Sequence, residues 1–125
     1  MPNADFASNS VQIQRGYKWM NGMAVNTGIT TILPPNSPVC SNGNNTFTIG
    51  IYGPSSRHQG GAHILMGDGA VVFITDSIEA GDKNVGNVIW NGTGVRAPGS
   101  PSPYGLWGAL GTLSAKEIIE ESLNQ

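Results

Sequence analysis

The chain has 125 residues, enough for one domain with its own hydrophobic core and with little room for two. Lys and Arg total 6 against 8 Asp and Glu, a formal net charge of −2, which excludes the basic footprint of a nucleic-acid or anionic-membrane binder. Only 11% of residues are charged, against roughly 25% in an ordinary soluble domain, so the surface is neutral and polar and repels copies of itself weakly; a monomeric, uncharged extracellular domain fits the same composition.

Residues 1–14 open the chain with small polar residues, and no apolar stretch of signal-peptide type stands there. This segment is read as a flexible or strand-donating arm. Within it Val11-Gln12-Ile13-Gln14 alternates apolar and polar, as a short strand does. Val11 and Ile13 are therefore candidates for pairing with the sheet edge of another subunit. Residues 15–125 form the head domain.

Thr30-Thr31-Ile32-Leu33 is predicted as a strand stopped by Pro34-Pro35, and residues 34–45 as a long Pro/Asn/Ser/Gly loop. Residues 46–52 alternate, with Phe47, Ile49 and Ile51 on one side. The clearest element follows. His63-Ile64-Leu65-Met66 and Val71-Val72-Phe73-Ile74 flank Gly67-Asp68-Gly69-Ala70. Asp-Gly between apolar runs signals a hairpin with a two-residue type I′ turn. That register sets Met66 opposite Val71 and Ile64 opposite Phe73. Both faces are then apolar, which places the hairpin inside a sandwich or under a helix. Residues 85–90 are read as a further strand, and residues 91–104 as a second long loop. Leu106-Trp107 and Ala109-Leu110 supply a late core contact. Ser114-x-x-Glu117 has the capping-box form, and Ala115, Ile118, Ile119 and Leu123 share one helical face, so a short C-terminal helix is expected. The fold class is mainly β, a β-rich α+β domain with an antiparallel sheet or sandwich and long Gly/Pro loops. No run of 18 apolar residues exists to span a membrane.

Few residues offer chemistry. His58 and His63 are five apart; if they lie in or beside a strand, that odd separation puts them on opposite faces and argues against a shared metal. His58 is read instead as fixing the loop that enters the hairpin. Asp68 is read as serving the turn backbone. Asp76, Glu79 and Asp82 suggest a calcium loop, but their spacing departs from the EF-hand pattern. No Gly-x-Ser-x-Gly elbow and no phosphate-binding glycine loop is present. The sequence thus calls for no catalytic residue, no cofactor and no metal. Cys40 is the sole cysteine, so it is either a half-buried loop thiol or a bridge between chains. Asn44-Asn45-Thr46 and Asn91-Gly92-Thr93 are glycan acceptor sequons, which makes Asn44 and Asn91 candidate sites. Trp19, Trp90 and Trp107 are read as core or as a sugar-binding platform.

Several segments together resemble one family. His58, nine residues, then Asp68-Gly69 is similar to the signature of prepilin-type proteins abundant in planctomycetes, a family named for that His-x9-Asp-Gly segment and of unknown function. Arg15-Gly16-Tyr17-Lys18-Trp19, then Thr31-Ile32-Leu33-Pro34-Pro35-Asn36-Ser37-Pro38 with Cys40 behind it, resemble its other stretches. So do Gly60-Gly61-Ala62-His63 with Phe73-Ile74, and Trp107-Gly108-Ala109-Leu110-Gly111-Thr112. The resemblance implies a type IV pilin-like head and makes His58, Asp68 and Gly69 a structural signature. Members begin with a hydrophobic N-terminal helix that this sequence lacks. That leaves a head domain alone, or a version that assembles by other contacts such as the residue 1–14 arm. The resulting expectation is a non-enzymatic, self-associating subunit of an extracellular or cell-surface filament, homo-oligomeric, with glycans as added partners and no nucleic acid. The alternative is a monomeric carbohydrate- or surface-binding module.

Overall fold

A computed structural model of the chain describes residues 15–16, 18–41 and 50–113. In chain order the described elements are α1 (Ala24–Thr27), β1 (Cys40–Ser41), β2 (Gly50–Ile51), β3 (Gly61–Leu65), β4 (Val71–Thr75), a 3-10 turn at Gly94–Arg96, and α2 (Gly105–Leu110). They form two small antiparallel sheets, β1–β2 and β3–β4. The domain is β-rich α+β, with most of its backbone in loops. The arm with Val11 and Ile13, the sequon residue Asn44 and the expected C-terminal helix lie outside the described residues.

Two predicted strands take another form. Residues 30–33 bend and do not join a sheet. The cause is the Pro34-Pro35 pair, which brings no N–H to a ladder. Ile32, Leu33, Pro34 and Pro35 are all buried in succession, a pattern that alternation would forbid. The segment is instead pinned to residues 52–56. Thr30 N–H donates to the Tyr52 carbonyl and Tyr52 N–H to Thr30 Oγ1, at 2.9 and 3.0 Å. Asn36, in the left-handed region at φ 58°, accepts the Ser56 N–H on its Oδ1. Residues 85–90 are irregular and mostly exposed. Here Gly92 N–H closes a turn onto Ile89, and Arg96 Nε donates to the Asn87 carbonyl.

The core has two clusters joined through α2. Ile74, Ile78, Ala80, Leu106 and Trp107 form the first, with Ile64, Val72 and Leu110 packed against it. Ile32, Leu33 and Tyr104 form the second, with Ile51 beside them. Trp107 is only 1% exposed, and its indole N–H donates to the Leu33 carbonyl at 2.8 Å, so one side chain ties both clusters. Glu79 holds α2 in place. Its carboxylate accepts N–H bonds from Gly81 (2.6 Å) and Leu106 (2.7 Å), and its carbonyl accepts the Trp107 N–H.

Tyr104 closes the second cluster. Its hydroxyl proton is shared between the Val85 carbonyl and Asn87 Oδ1. Burial raises its pKa above the ordinary tyrosine value; nearby Arg96 opposes this and Asp82 adds to it. A raised folded-state value means that the fold favours the neutral phenol. The associated stability is whole below about pH 10, the unfolded value, and is lost as pH climbs through the folded one. Tyr104→Phe is therefore expected to be less stable than wild type at pH 7, by about 1 kcal/mol for the lost hydrogen bond. It should also lose less stability between neutral and strongly alkaline pH. Thermal melts across that range check both signs.

Candidate functional site

The hairpin carries the surface features that point to a function. Its pairing is Leu65↔Val71, Ile64↔Val72, His63↔Phe73, Ala62↔Ile74 and Gly61↔Thr75. This differs by one residue from the register of a two-residue turn. The loop holds three residues, Gly67, Asp68 and Gly69. Met66 N–H donates to the Ala70 carbonyl and Gly69 N–H to the Met66 carbonyl. Gly69 alone takes positive φ, at 89°, while Asp68 does not. This is a type I turn followed by a glycine bulge, the other common use of Asp-Gly. Asp68 Oδ1 accepts the Ala70 N–H at 2.9 Å and locks the turn.

The shift exchanges the faces of one strand against the other. Ala62, Ile64, Val72 and Ile74 turn inward, and the last three pack with Leu106, Trp107 and Leu110 of α2. Leu65, Val71 and Phe73 turn outward and are 71%, 64% and 40% exposed. Among the described residues the expected burial of both faces is thus corrected to one, because α2 packs on one side of the hairpin.

Among the described residues, part of each edge is also unpaired. The Met66–Ala70 and Gly60–Asp76 bonds set the parity of the ladder. Residues 62, 64, 72 and 74 spend their backbone groups between the strands. Residues 63, 65, 71 and 73 point theirs away, and no hydrogen bond from another described residue meets them. Neither strand, Gly-Ala-His-Ile-Leu or Val-Val-Phe-Ile-Thr, carries a proline or a Lys, Arg, Asp or Glu. Natural edge strands are normally blunted by such residues.

Beside β3 lies an open cleft of about 670 Å³, lined by Trp19, Asn26, Ser55, Ser56, His58 and His63 among others. His58 packs edge-on against His63 (centroids 5.6 Å), and His63 against Phe73 (5.0 Å), in a short aromatic row. Trp19 is 77% exposed. Arg15 borders the cleft, but its guanidinium is committed. It donates to the Gly28 carbonyl at 3.0 Å and lies 5.2 Å from the centre of the Tyr52 ring. Burial pulls its pKa down, and Tyr52 pushes it back. Asn26 is 2% exposed, and its buried Nδ2 has no hydrogen-bond partner among the described residues. An amide donor left unmade in the interior costs about 1–3 kcal/mol.

His58 and Asp68 stand apart along the hairpin. His58 lies before β3 with its backbone N–H on Ser56 Oγ, and Asp68 at the turn. Asp76, Glu79 and Asp82 do not converge either. Asp76 accepts from Asn36 Nδ2, Glu79 holds Gly81 and Leu106, and Asp82 accepts the Asn84 N–H. Among the described residues no group of three His, Cys, Asp or Glu is placed to hold a metal. Cys40 is a half-buried free thiol in β1, opposite Ile51. Asn91 is exposed in a turn at φ 62°. Trp90 is exposed, and Trp107 belongs to the core. Sequence reasoning missed Asn26 and the role of Glu79. Neither has a local signal, since an orphan amide shows only in three dimensions and Leu106 lies 27 residues beyond Glu79.

Residues 2–81 match the family described as a protein of unknown function, DUF1559, and that segment is more than half of the chain. The chain belongs to the DUF1559 family. The match contains β1 to β4 and ends at Gly81, so the α2 residues that cover the inner face of the hairpin lie beyond it. No curated protein and no solved structure matches this DUF1559 chain. No helix among its described residues is long and apolar enough to cross a membrane.

Proposed function

We propose that this DUF1559 chain is a structural subunit of an extracellular filament or pilus-like surface assembly, built by self-association and without enzymatic chemistry. The open, uncharged β4 edge beside the exposed Leu65, Val71 and Phe73 carries this reading. Unpaired backbone groups flanked by apolar side chains are a template for another strand. The sparse charge of the chain opposes close packing of copies only weakly. The ordered segments from Arg15 to Thr112 that resemble planctomycete prepilin-type proteins support the same conclusion.

The donor strand in this proposal is Val11-Gln12-Ile13-Gln14 of a neighbouring copy. It is uncharged and alternates apolar and polar. Laid along β4, it offers Val11 and Ile13 to one face and the two glutamines to the other. Donation from the arm of one copy to the edge of the next is a head-to-tail contact, which extends into a filament where its rotation does not close a ring.

Phe73→Lys tests this contact. The side chain points outward, so the substitution leaves the core intact and sets a charge on the edge strand. Sedimentation velocity over a concentration series is expected to show wild-type association and a monomeric, folded Phe73→Lys variant. Equal association of both would remove this edge from the proposal.

A further inference from the structure

The cleft beside β3 shares Leu65 with the exposed face of the hairpin, but the proposed β4 contact uses neither Trp19 nor Asn26. Asn26 lies in its wall with a buried Nδ2 that lacks an acceptor, and Trp19 stands at its side largely in solvent. Buried donors without partners are rare in folded proteins, and a ligand is one of the agents that satisfies them. A large indole left exposed beside a mainly apolar cleft that also presents polar side chains is a second, separate feature of binding surfaces.

The lining specifies the class of ligand. It contains no Asp, Glu or Lys, and the Arg15 guanidinium is bound to the Gly28 carbonyl and stacked near Tyr52. Arg15 is thus turned to the fold and is not a free anchor for an anion. Ser55, Ser56, His58 and His63 bring side chains able to give or take hydrogen bonds. An indole face with hydrogen-bonding side chains around it suits a ring that is apolar on its faces and hydroxylated at its rim.

We propose that this cleft binds a neutral pyranose saccharide, stacked on Trp19, with a ring substituent accepting the Asn26 Nδ2 hydrogen. The saccharide supplies the acceptor that the fold leaves out. Such a site lets a surface subunit hold a glycan, its own or another's, independently of how the subunits pair.

The test is titration of the full chain with N,N′-diacetylchitobiose, whose acetamido groups carry carbonyl acceptors, and in parallel with cellobiose. Binding is followed by intrinsic tryptophan fluorescence and by saturation-transfer NMR. Saturable binding of either disaccharide is expected. Trp19→Ala and Asn26→Leu should each weaken it by about 10-fold or more, the scale of one lost contact. Trp90→Ala, at an exposed indole outside the cleft, should leave it unchanged. Asn26→Leu removes the orphan donor while keeping the number of side-chain heavy atoms, and circular dichroism shows whether it folds. If it does not, Trp19→Ala carries the test alone, since that residue is exposed. Absence of saturable binding in the folded wild type overturns the proposal. So does binding that Trp19→Ala leaves intact. Either result leaves the self-association reading standing, because sedimentation and not saccharide binding reads that contact.

Discussion

Trp107→Ala is expected to leave the chain unfolded at room temperature. The indole is the largest fully buried side chain of the domain. It packs against the inner face of the hairpin and donates to the Leu33 carbonyl across the second cluster. Truncating a buried aromatic to alanine costs about 3–5 kcal/mol. The Leu33 carbonyl would then sit without its donor, at about 1–3 kcal/mol more. Domains of this size hold only about 5–15 kcal/mol in all. Two short two-stranded sheets cannot make up the difference, since isolated hairpins are marginal in water. Circular dichroism and a urea titration check this. A cooperative transition within about 2 kcal/mol of wild type would show that the two clusters are independent of Trp107.

Gly105→Ala should destabilise almost as strongly, for a different reason. Gly105 begins α2 at φ 56°, where an L-residue pays about 1–2 kcal/mol. A Cβ there would also run into the Glu79 carboxylate. That group cannot retreat without releasing Leu106 N–H and Gly81 N–H, hydrogen bonds to a charged acceptor worth about 1.5–3 kcal/mol each. The expected loss is about 3–5 kcal/mol. A double-mutant cycle isolates the collision, because Gly105→Ala should cost less once Glu79→Ala has removed the carboxylate. Simple additivity of the two substitutions would place the whole effect in the backbone.

These two residues also mark where the sequence stops being readable. The hairpin was legible because two apolar runs flank Asp-Gly, and that pattern is local. Its register was not, because Asp-Gly serves a two-residue type I′ turn and a three-residue bulged loop alike. The choice lies in whether Asp68 takes positive φ, and it does not. One residue of slip then decides that Phe73 and Val71 face outward. Helix α2 was not legible either. Gly-Leu-Trp-Gly-Ala-Leu has two glycines and no side-chain cap, so nothing within it signals a helix. Its start is secured by Glu79, 27 residues earlier. The strand expected at residues 30–33 fails on a local rule that was available. The two prolines after it halt a ladder, and the burial they share is continuous.

The candidate surfaces divide in the same way. The lack of charge on the hairpin strands is written in the sequence, and so is the alternation of Val11 to Gln14. The openness of the β4 edge needs the parity of the hydrogen bonds. The orphan amide of Asn26 needs the packing of α1 against the cleft. His58 and Asp68, the ends of the His-x9-Asp-Gly segment, lie at the two ends of the hairpin, where the His58 N–H donates to Ser56 Oγ, its ring meets His63, and Asp68 Oδ1 accepts the Ala70 N–H.

Electron microscopy of the purified full chain at neutral pH, with mass spectrometry on the same sample, tests self-association most directly. Ordered filaments built from the intact chain, absent from the Phe73→Lys variant and from a chain lacking residues 1–14, are the predicted result. A homogeneous monomer at high concentration would contradict it.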